Sequence, residues 1–317
     1  MKKFIAIALV LVLALGLVAC AAKGSTRMTM GTGGTSGTYY AFGGVLGQQI
    51  KKSAKINVNV VSTDGSKANI MGIDSGDYQL GTVQSDVMSY AWDGTRSFES
   101  EGAIQSFRVV GGLYAEAVQL VTMDPEIKSV ADLAGKSVSI GAPGSGVYFN
   151  AIDVLNAAGL TEDDIQAQKQ SFADSVDALK DGKIDAAFIV AGAPTPAITE
   201  LCTTNDAYLV PIDGEVAENL MAACPFYTTY NVPAGTYNGQ EEDVTTVTVK
   251  ATLIVSADAS ENDVYNLTKA IFDNIADITA AHAKGAELSL ENATEGMTAP
   301  FHAGAAKYFA EKGITVE

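Results

Sequence analysis

Apolar residues along the chain occur in short continuous runs and in longer stretches whose apolar positions lie three and four residues apart. The short runs predict buried strands at residues 56–61, 80–83, 109–110, 118–122, 138–140 and 186–190. The spaced positions predict helices, including one over residues 69–74 and a strongly amphipathic one over residues 264–278. Thr161, followed by three acidic residues, predicts a further helix N-terminus. Because strands and helices alternate, we expect an α/β architecture with mostly parallel sheets.

The beginning of the chain has the pattern of an export signal. Two lysines precede an apolar run over residues 4–18, which is shorter than the roughly 20 residues of a membrane-spanning helix. The run ends in LVAC, which resembles a bacterial lipobox, a signal in which the cysteine is lipid-modified and begins the mature chain. We therefore expect a signal peptide at 1–19, a lipidated tether at 20–26 and an extracytoplasmic protein anchored at Cys20. An ordinary signal peptide with an incidental Cys20 is the alternative.

The charge and length of the chain narrow its class. The full sequence carries a net charge of −17, and loss of the two leader lysines leaves 18 basic against 37 acidic residues, or −19. Such a surface repels nucleic acids and anionic lipids, whereas the sign of a small ligand stays open because a pocket creates its own local field. Even without the leader, the chain is at the upper limit of about 250–300 residues for a single core, so we expect two lobes.

Three cysteines are an uneven number for an exported protein. If Cys20 carries lipid, Cys202 and Cys224 remain, and an oxidising compartment permits a disulfide between them. Two separate buried thiols fit the sequence equally well, and better still in an anaerobic organism.

The chain contains an internal repeat of pattern. Residues 30–49, MGTGGTSGTYYAFGGVLGQQ, are matched in kind by residues 140–159, IGAPGSGVYFNAIDVLNAAG. Each reads as a strand end, a glycine loop, an aromatic residue and an amphipathic helix. A second match relates residues 73–86 to residues 179–192, each a helix end, a glycine turn and a strand. Two similar lobes with a glycine loop at the same sheet edge predict a ligand cleft between them.

The glycine loops do not match the known phosphate-binding motifs. The dinucleotide fingerprint needs a third glycine where the chain has Ser36, and a P-loop needs a lysine, of which there is none between Arg27 and Lys51. Backbone N–H groups at a helix N-terminus, with hydroxyls nearby, still predict an anion site that suits a carboxylate. For either loop alone, a mere tight turn has equal weight, and two facing loops favour a ligand site.

Residues typical of catalysis or metal binding are scarce. His282 and His302 lie far from the glycine loops in sequence, and Ser145 in the GSG turn lacks an evident base. No zinc-site or calcium-loop spacing occurs in the sequence. We therefore expect no enzyme activity, no metal and no cofactor.

Eight stretches resemble the TAXI-type solute-binding proteins of TRAP transporters, from about residue 28 to the C-terminus. They are GTGGTSGTYYAFGG, VQSDVMSYAWDG, LYAEAVQLV, DLAGKSVSIGAPGSG, ALKDGKIDAAFIVAGAPT, VPAGTYNGQEED, VYNLTKAIFDN and PFHAGAAKYFAEKG. The resemblance implies a two-lobed type II periplasmic-binding-protein fold, in which each lobe is a mixed, mostly parallel sheet flanked by helices. It also implies closure on a small organic anion, an amino acid or a dicarboxylate such as glutamate or 2-oxoglutarate, and delivery to an ion-gradient-driven permease.

On this resemblance, lobe I comprises residues 27–116 and 250–317, and lobe II comprises residues 117–249. The expected partners are the organic anion, the subunits of a TRAP permease and the membrane that holds the lipid anchor, with no nucleic acid, and the protein is expected to be a monomer. A sensory protein with the same ligand but a signalling partner is the alternative, which the neighbouring genes would distinguish.

The expected ligand-binding residues lie in the two glycine loops and at strand ends beside them. They are Gly34, Thr35, Gly37, Thr38, Tyr39, Gln84, Ser85, Asp86, Tyr114, Ser145, Gly146, Ala193 and Pro194. Asp86 is expected either to accept a ligand ammonium or to cap the following helix. Tyr114 and Glu116 lie near the first crossing between lobes, where they contact either the ligand or only the hinge. Val147 replaces the threonine more common in the family, which favours a different or less polar carboxylate.

Overall fold

The computed structural model describes residues 26–317, which form one mixed sheet of ten strands flanked by helices. The strands are β1 (Arg27–Gly31), β2 (Asn57–Val61), β3 (Leu80–Gln84), β4 (Phe107–Thr122), β5 (Ser137–Ser139), β6 (Gln166–Gln168), β7 (Ala186–Ala191), β8 (Tyr208–Val210), β9 (Thr228–Val232) and β10 (Val244–Ser256). The helices are α1 (Thr38–Ala54), α2 (Ser66–Asp74), α3 (Ser85–Asp93), α4 (Val147–Ala157), α5 (Phe172–Lys180), α6 (Pro196–Thr204), α7 (Gly214–Ala223), α8 (Glu261–Phe272), α9 (Ile275–Ala281), α10 (Leu290–Thr294) and α11 (Ala303–Glu311). The predicted signal peptide at 1–19 and the lipidation at Cys20 lie outside the described residues. None of the helices in residues 26–317 has the length and apolar character of a membrane span.

The order of the strands explains how the sheet is mixed. Its path is β2-β1-β3-β10-β4-β7-β5-β6, with β9 paired to β10 and β8 paired to β4. Pairing is parallel within the β2-β1-β3 group and within the β7-β5-β6 group, whereas β4 and β10 run antiparallel to their neighbours. The predicted α/β architecture is therefore confirmed, with parallel outer groups joined through an antiparallel centre.

Two long strands make the sheet continuous. Strand β4 has 16 residues, about 50 Å at the usual rise, so it can pass through both groups. Residues 107–117 of β4 pair with β10, and residues 117–122 pair with β7. Strand β10 likewise pairs with β9 over residues 244–248 and with β3 over residues 251–255. These exchanges of partner fall near the predicted lobe crossings, although the division into lobes itself stays a prediction.

The extended segments predicted at 109–110 and 118–122 are both present and belong to one strand, β4, because the residues between them continue the ladder to β10. One prediction about an element boundary was wrong. The helix predicted over residues 264–278 is interrupted between α8 and α9. There Asp273 accepts hydrogen bonds from Tyr308 Oη and Lys312 Nζ, both at 2.8 Å, and Asn274 Nδ2 donates to the carbonyl of Ala270 at 3.0 Å. Hydrogen bonds of the Asp273 and Asn274 side chains thus stabilise the break between the two helices.

The apolar face of each helix covers the sheet. On α1, Phe42, Leu46 and Ile50 are four residues apart and fully buried, which places them on one stripe. They belong to a cluster that includes Leu267 and Ile271 of α8. Burial of one such side chain contributes about 2 kcal/mol, so these stripes fix the positions of the helices. A second large cluster surrounds α4 and the β7-β5-β6 group.

Candidate functional site

The two glycine loops are in equivalent places. The first glycine loop, residues 32–37, joins the C-terminal end of β1 to α1, and the second glycine loop, residues 140–146, joins β5 to α4. The glycine turns of the second repeat are also equivalent, because Gly76 lies between α2 and β3 and Gly182 lies between α5 and β7. Both turn glycines have positive φ angles, 85° and 66°, which a side chain would strain. The repeat read from the sequence is confirmed.

A cavity of about 360 Å³ lies between the two glycine loops. It is lined by Gly33, Gly34, Thr35, Ser36, Gly37, Thr38, Tyr39, Ser62, Thr63, Asp64, Gly65, Ser66, Gln84, Glu116, Ala142, Ser145, Gly146, Val147, Ser171, Phe172, Ala173, Val190 and Ala191. These residues come from the carboxyl ends of strands in both outer groups, the usual place for a ligand on an open α/β sheet. Its volume suits a small organic molecule.

Five helices, α1 to α5, begin at this cavity, because the residue before each of them lines it. Their N-termini differ in what they bond to, and at α3 the Asp86 carboxyl accepts from Val87 N. Helix α5 is capped by the Ser171 hydroxyl, which accepts from Asp174 N. At α2, the N–H groups of Lys67 and Ala68 donate to the carbonyl of Gly144. Helices α1 and α4 start after Gly37 and Gly146, which cannot supply a side-chain cap. Their first-turn N–H groups, together with the helix dipoles, favour an anion in the cavity.

The charged side chains that line the cavity are all acidic. Asp64 and Glu116 are among the lining residues, whereas no lysine or arginine is. Glu116 is 2% exposed and accepts a hydrogen bond from Tyr39 Oη at 2.9 Å. Burial, reinforced by the charge of Asp86, raises the pKa of Glu116 well above its usual range, which the Tyr39 hydrogen bond opposes. Burial and the neighbouring Glu116 also raise the pKa of Tyr39, so the phenol stays a donor.

Hydrogen bonds connect the two sides of the cavity. Thr38 Oγ1 donates to the carbonyl of Gly192 at 2.7 Å, and Ala197 N donates to the carbonyl of Ser36 at 3.1 Å. On another side, Lys67 N donates to the carbonyl of Gly144 at 3.1 Å. The first glycine loop and α2 are thereby bonded to segments that adjoin the β7-β5-β6 group.

Asn69 connects the loops that follow β1 and β2 to strand β3. Its side-chain Nδ2 donates to the carbonyls of Thr32 and Thr82, at 2.6 and 2.8 Å, and its Oδ1 accepts from the Thr63 hydroxyl at 2.7 Å. Asn69 is fully buried in α2. One amide therefore sets the spacing between β1, β2 and β3 at the edge that faces the cavity.

Eight of the predicted ligand residues line the cavity. They are Gly34, Thr35, Gly37, Thr38, Tyr39, Gln84, Ser145 and Gly146. The other five, Ser85, Asp86, Tyr114, Ala193 and Pro194, are not among the lining residues.

The five outlying residues have other contacts. Ser85 Oγ accepts from Lys250 N at 3.2 Å, and Tyr114 is a fully buried ring that packs edge-on against Phe42. Asp86 is the second residue of α3, not its N-cap, and it accepts a hydrogen bond from Asn150. Ala193 and Pro194 follow the cavity residue Ala191 by two and three positions. Glu116, which the sequence left between a ligand and a hinge role, does line the cavity.

Sequence reasoning missed two lining segments. Residues 62–66 (STDGS) follow β2, and residues 171–173 precede and begin α5. The first segment carried a signal, because small polar residues and a glycine follow a predicted strand and precede a predicted helix. The second lacked a glycine, and only its equivalence to residues 65–67 in the repeat could have indicated it.

The two described cysteines are free thiols. Cys202 and Cys224 are both buried and unpaired in the structure, so the disulfide that the sequence left open is not formed. They belong to different apolar clusters, and burial raises the pKa of each thiol. Within residues 26–317, no group of three or more His, Cys, Asp or Glu side chains is arranged to hold a metal ion.

Solved structures share this fold. The alkanesulfonate-binding protein SsuA from Xanthomonas axonopodis pv. citri, bound to MOPS, is 17% identical, with a TM-score of 0.51 over 91% of this chain and 85% of that one. PhnD1 from Prochlorococcus marinus (MIT 9301), in complex with methylphosphonate, is 12% identical, with a TM-score of 0.54 over 82% and 89%. A protein of Bordetella bronchiseptica RB50 is 18% identical, with a TM-score of 0.56 over 90% and 89%. The fold is thus that of periplasmic substrate-binding proteins, as predicted.

The family assignment rests on most of the chain. The model of the NMT1-like family matches residues 30–313, from the last residues of β1 to beyond α11. The match includes both glycine loops, both long strands and every residue that lines the cavity. The chain belongs to the NMT1-like family.

Proposed function

We propose that this protein is an extracytoplasmic receptor that binds a small organic anion between two lobes and delivers it to a membrane permease. The observation that carries the proposal is the pair of uncapped helix N-termini, α1 and α4, which face one cavity that no lysine or arginine lines. Backbone N–H groups can hold a carboxylate without a cationic side chain. The lobes are residues 27–116 with 250–317, and residues 117–249.

An amino acid suits this cavity better than a dicarboxylate. The α-carboxylate would accept hydrogen bonds from the first turns of α1 and α4, and the ammonium would face Glu116. A second carboxylate near Glu116 would meet a buried acid, and the cation that acts on Glu116, Lys284, is paired with Glu287 and does not line the cavity. A bound ammonium would instead favour the ionised form of Glu116.

Receptor function is favoured over catalysis. The cavity is lined by hydroxyls, amides and two carboxyl groups, and neither of the histidines lies among the lining residues. Two of the three fold relatives were solved with a bound small molecule, SsuA with MOPS and PhnD1 with methylphosphonate. Closure on a ligand held from both sides would let a permease distinguish the loaded receptor from the empty one.

The partner we propose is a TRAP-type permease. The eight stretches that resemble TAXI-type proteins include both glycine loops and support this subfamily. The lipobox-like LVAC sequence supports an anchor at Cys20. The alternative is a signalling partner for the same ligand-bound form, and adjacent permease genes would argue against it.

A thermal-shift screen tests the ligand class. The chain from Ala21 onward would be unfolded, refolded to remove bound ligand, and mixed with amino acids, dicarboxylates, 2-oxo acids, fatty acids and nucleotides. We expect amino acids to raise the unfolding temperature most, because a ligand that binds only the native state stabilises it. A response to nucleotides with none to carboxylates would contradict the proposal.

A further inference from the structure

A buried polar network extends from the cavity residue Gln84 into the protein. Gln84 Nε2 donates to Asn150 Oδ1 at 2.8 Å, and Asn150 Nδ2 donates to Asp86 Oδ2 at 2.9 Å and to Tyr227 Oη at 2.7 Å. Tyr227 Oη in turn donates to Asp153 Oδ2 at 3.2 Å. All five side chains are more than nine-tenths buried. Asn150 is therefore the centre of a chain of hydrogen bonds that begins at the cavity.

The network contains two carboxyl groups but one cation. Arg96 forms an ion pair with Asp153. Asp86 has no ion pair in the described part of the chain, and its Oδ1 is buried there without a hydrogen-bond partner. Burial raises the pKa of Asp86 to about 6, against the opposing hydrogen bonds from Val87 N and Asn150. An ionised carboxylate with an unpaired buried oxygen is costly, so this site favours the protonated form.

The members of the network come from both proposed lobes. Gln84 ends β3, Asp86 lies in α3, and Arg96 lies in the short 3-10 turn after α3. Asn150 and Asp153 lie in α4, and Tyr227 precedes β9. Every bond between these two sets passes through Asn150 or Asp153. Separation of the lobes would break all of them and expose Asp86 to water.

We propose that Asn150 is a positioning residue that holds Gln84 at the ligand only in the closed form, and that Asp86 takes up a proton when the lobes close. The inference rests on the two-lobed receptor proposed above. On this inference, the receptor takes up a proton as well as a ligand when it closes. The residue that takes up the proton does not line the cavity.

The direction of the pH effect follows from the two forms of Asp86. In the open form the carboxyl faces water and has its ordinary pKa of about 3.9, whereas in the closed form burial raises its pKa to about 6. Between these values only the closed form holds the proton. The contribution of this proton to closure is therefore fully present below about pH 3.9, and it is lost as the pH rises through about 6. We expect the ratio of closed to open forms to fall about tenfold between about pH 5 and about pH 7.

Several ionisable groups surround Asp86 from the neighbouring elements. They are Tyr90 on α3, Arg96, Glu116 on β4, Asp153 on α4, Cys224, Tyr227 and Lys250 on β10. Asp153 raises the pKa of Asp86 by repulsion, and Arg96 is bound to Asp153. The ammonium of Lys250 donates to the carbonyls of Asn292 and Glu295. Burial also raises the pKa of Glu116, so a variant of Asp86 is needed to separate the two acids.

Small-angle X-ray scattering without any ligand tests the proton-linked closure. The chain from Ala21 onward, which keeps every residue that the structure describes, would be compared at about pH 5 and about pH 7 as wild type, Asp86→Asn and Asp93→Asn. Asp93 is an exposed carboxylate on the same helix and serves as the matched control. We expect a smaller radius of gyration at low pH for the wild type and for Asp93→Asn, and one compact radius at both pH values for Asp86→Asn. Equal wild-type radii, or an unchanged pH response in Asp86→Asn, would overturn the inference.

A second measurement stands even if Asp86→Asn does not fold. Carbon NMR of the Asp86 carboxyl in the wild type should show a titration near pH 6. In Asn150→Ala, loss of the bonds that join Gln84 and Asp86 to α4 should open the lobes and lower the midpoint to the ordinary value for aspartate, whereas loss of this hydrogen bond in a closed form would raise the midpoint. A midpoint near pH 4 in both proteins, or one at or above pH 6 in Asn150→Ala, would overturn the inference. Because neither measurement uses a ligand, a failed ligand screen and a failed proton linkage give separate results.

Discussion

The first and second glycine loops differ in what their following side chains contact. After Gly37, the hydroxyl of Thr38 donates to the carbonyl of Gly192 across the cavity, and Tyr39 Oη donates to the buried Glu116. After Gly146, the equivalent Val147 packs into an apolar cluster. Tyr148 Oη donates to Glu162, and neither of these two residues lines the cavity.

The glycine-loop motif therefore has two separable roles, one for the backbone and one for the side chains that follow it. Both loops end at an uncapped helix N-terminus, so both offer backbone N–H groups whatever side chains follow. Only beside the first loop do a phenol, Tyr39, and a buried acid, Glu116 on β4, meet at the cavity. We infer that the backbones of the two loops together bind the anion, while the side chains around the first loop determine which anion binds.

Substitution of Gly37 and Gly146, the glycines that precede α1 and α4, should give the largest effect. A methyl group at Gly146 would overlap Gln84 Oε1 and lie 2.9 Å from a methyl of Val87, both from the other proposed lobe. At Gly37 it would meet only Gly34 O at 3.3 Å and the Phe172 ring at 3.5 Å. We expect Gly146→Ala to weaken ligand binding at least about 100-fold, and Gly37→Ala by less than about tenfold, measured by calorimetry with the amino acid that the screen identifies. Equal losses would contradict the assignment of Gly146 to closure.

The residues that hold the two sides of the cavity in place should contribute differently to the stability of the protein. Asn69 and Ser175 occupy the same position in α2 and α5, but the Asn69 side chain makes three hydrogen bonds, two of them buried, whereas Ser175 bonds to Ser139 and to the carbonyl of Ser171. We expect Asn69→Ala to lower the free energy of unfolding by about 2–3 kcal/mol, and Ser175→Ala by about 1 kcal/mol. Urea unfolding of both variants measures this difference. The exposed Asn59→Ala, on β2, is the control and should change stability by less than about 0.5 kcal/mol.

The two tyrosine–glutamate pairs allow a test of ligand choice. Glu116→Gln keeps an acceptor for Tyr39 but removes the negative charge that we expect to hold a ligand ammonium. Amino-acid affinity should fall about tenfold, while Glu162→Gln, which alters the pair outside the cavity, should leave it unchanged. If Glu116→Gln binds an amino acid as tightly as the wild type, Glu116 does not contact an ammonium.

An exchange of the residues after the two glycines should give the smallest effect. Thr38→Val removes the 2.7 Å hydrogen bond to Gly192 and should weaken binding by about 1 kcal/mol, because this bond joins the two sides of the cavity. Val147→Thr adds a hydroxyl to a side chain that lines the cavity but packs into an apolar cluster, and we expect a change below about 0.5 kcal/mol. Ligand titration of both variants checks the pair. A large gain in affinity for Val147→Thr would restore the view that its missing hydroxyl alters ligand choice.

The sequence predicted the backbone plan well because that plan has local signatures. Glycines such as Gly76 and Gly182 stand where the chain needs positive φ, and the short apolar runs mark strands buried on both faces. The centre of the sheet was harder to predict. The continuity of β4 depends on pairing with β10, more than 120 residues later in the chain, which no local pattern records.

The candidate site was predicted in its loops but not in its side-chain partners. Gln84 lies at a strand end beside a glycine loop, and position alone indicated it. The role of Asn150 depends on the contact between α4 and α3. Because Asn150 lies on an ordinary amphipathic helix, its sequence context does not indicate this role. Asp86 was expected at the ligand because it follows the same strand, yet one further residue places it inside α3. Helix periodicity thus decides which neighbouring side chains reach the cavity.

A crystal structure of the complex with the amino acid that gives the largest thermal shift tests the central claim most directly. The account predicts a carboxylate within hydrogen-bonding distance of first-turn N–H groups of both α1 and α4, with the ammonium facing Glu116. A ligand whose carboxylate is held by a lysine or arginine, or one that contacts only one of the two glycine loops, would contradict it.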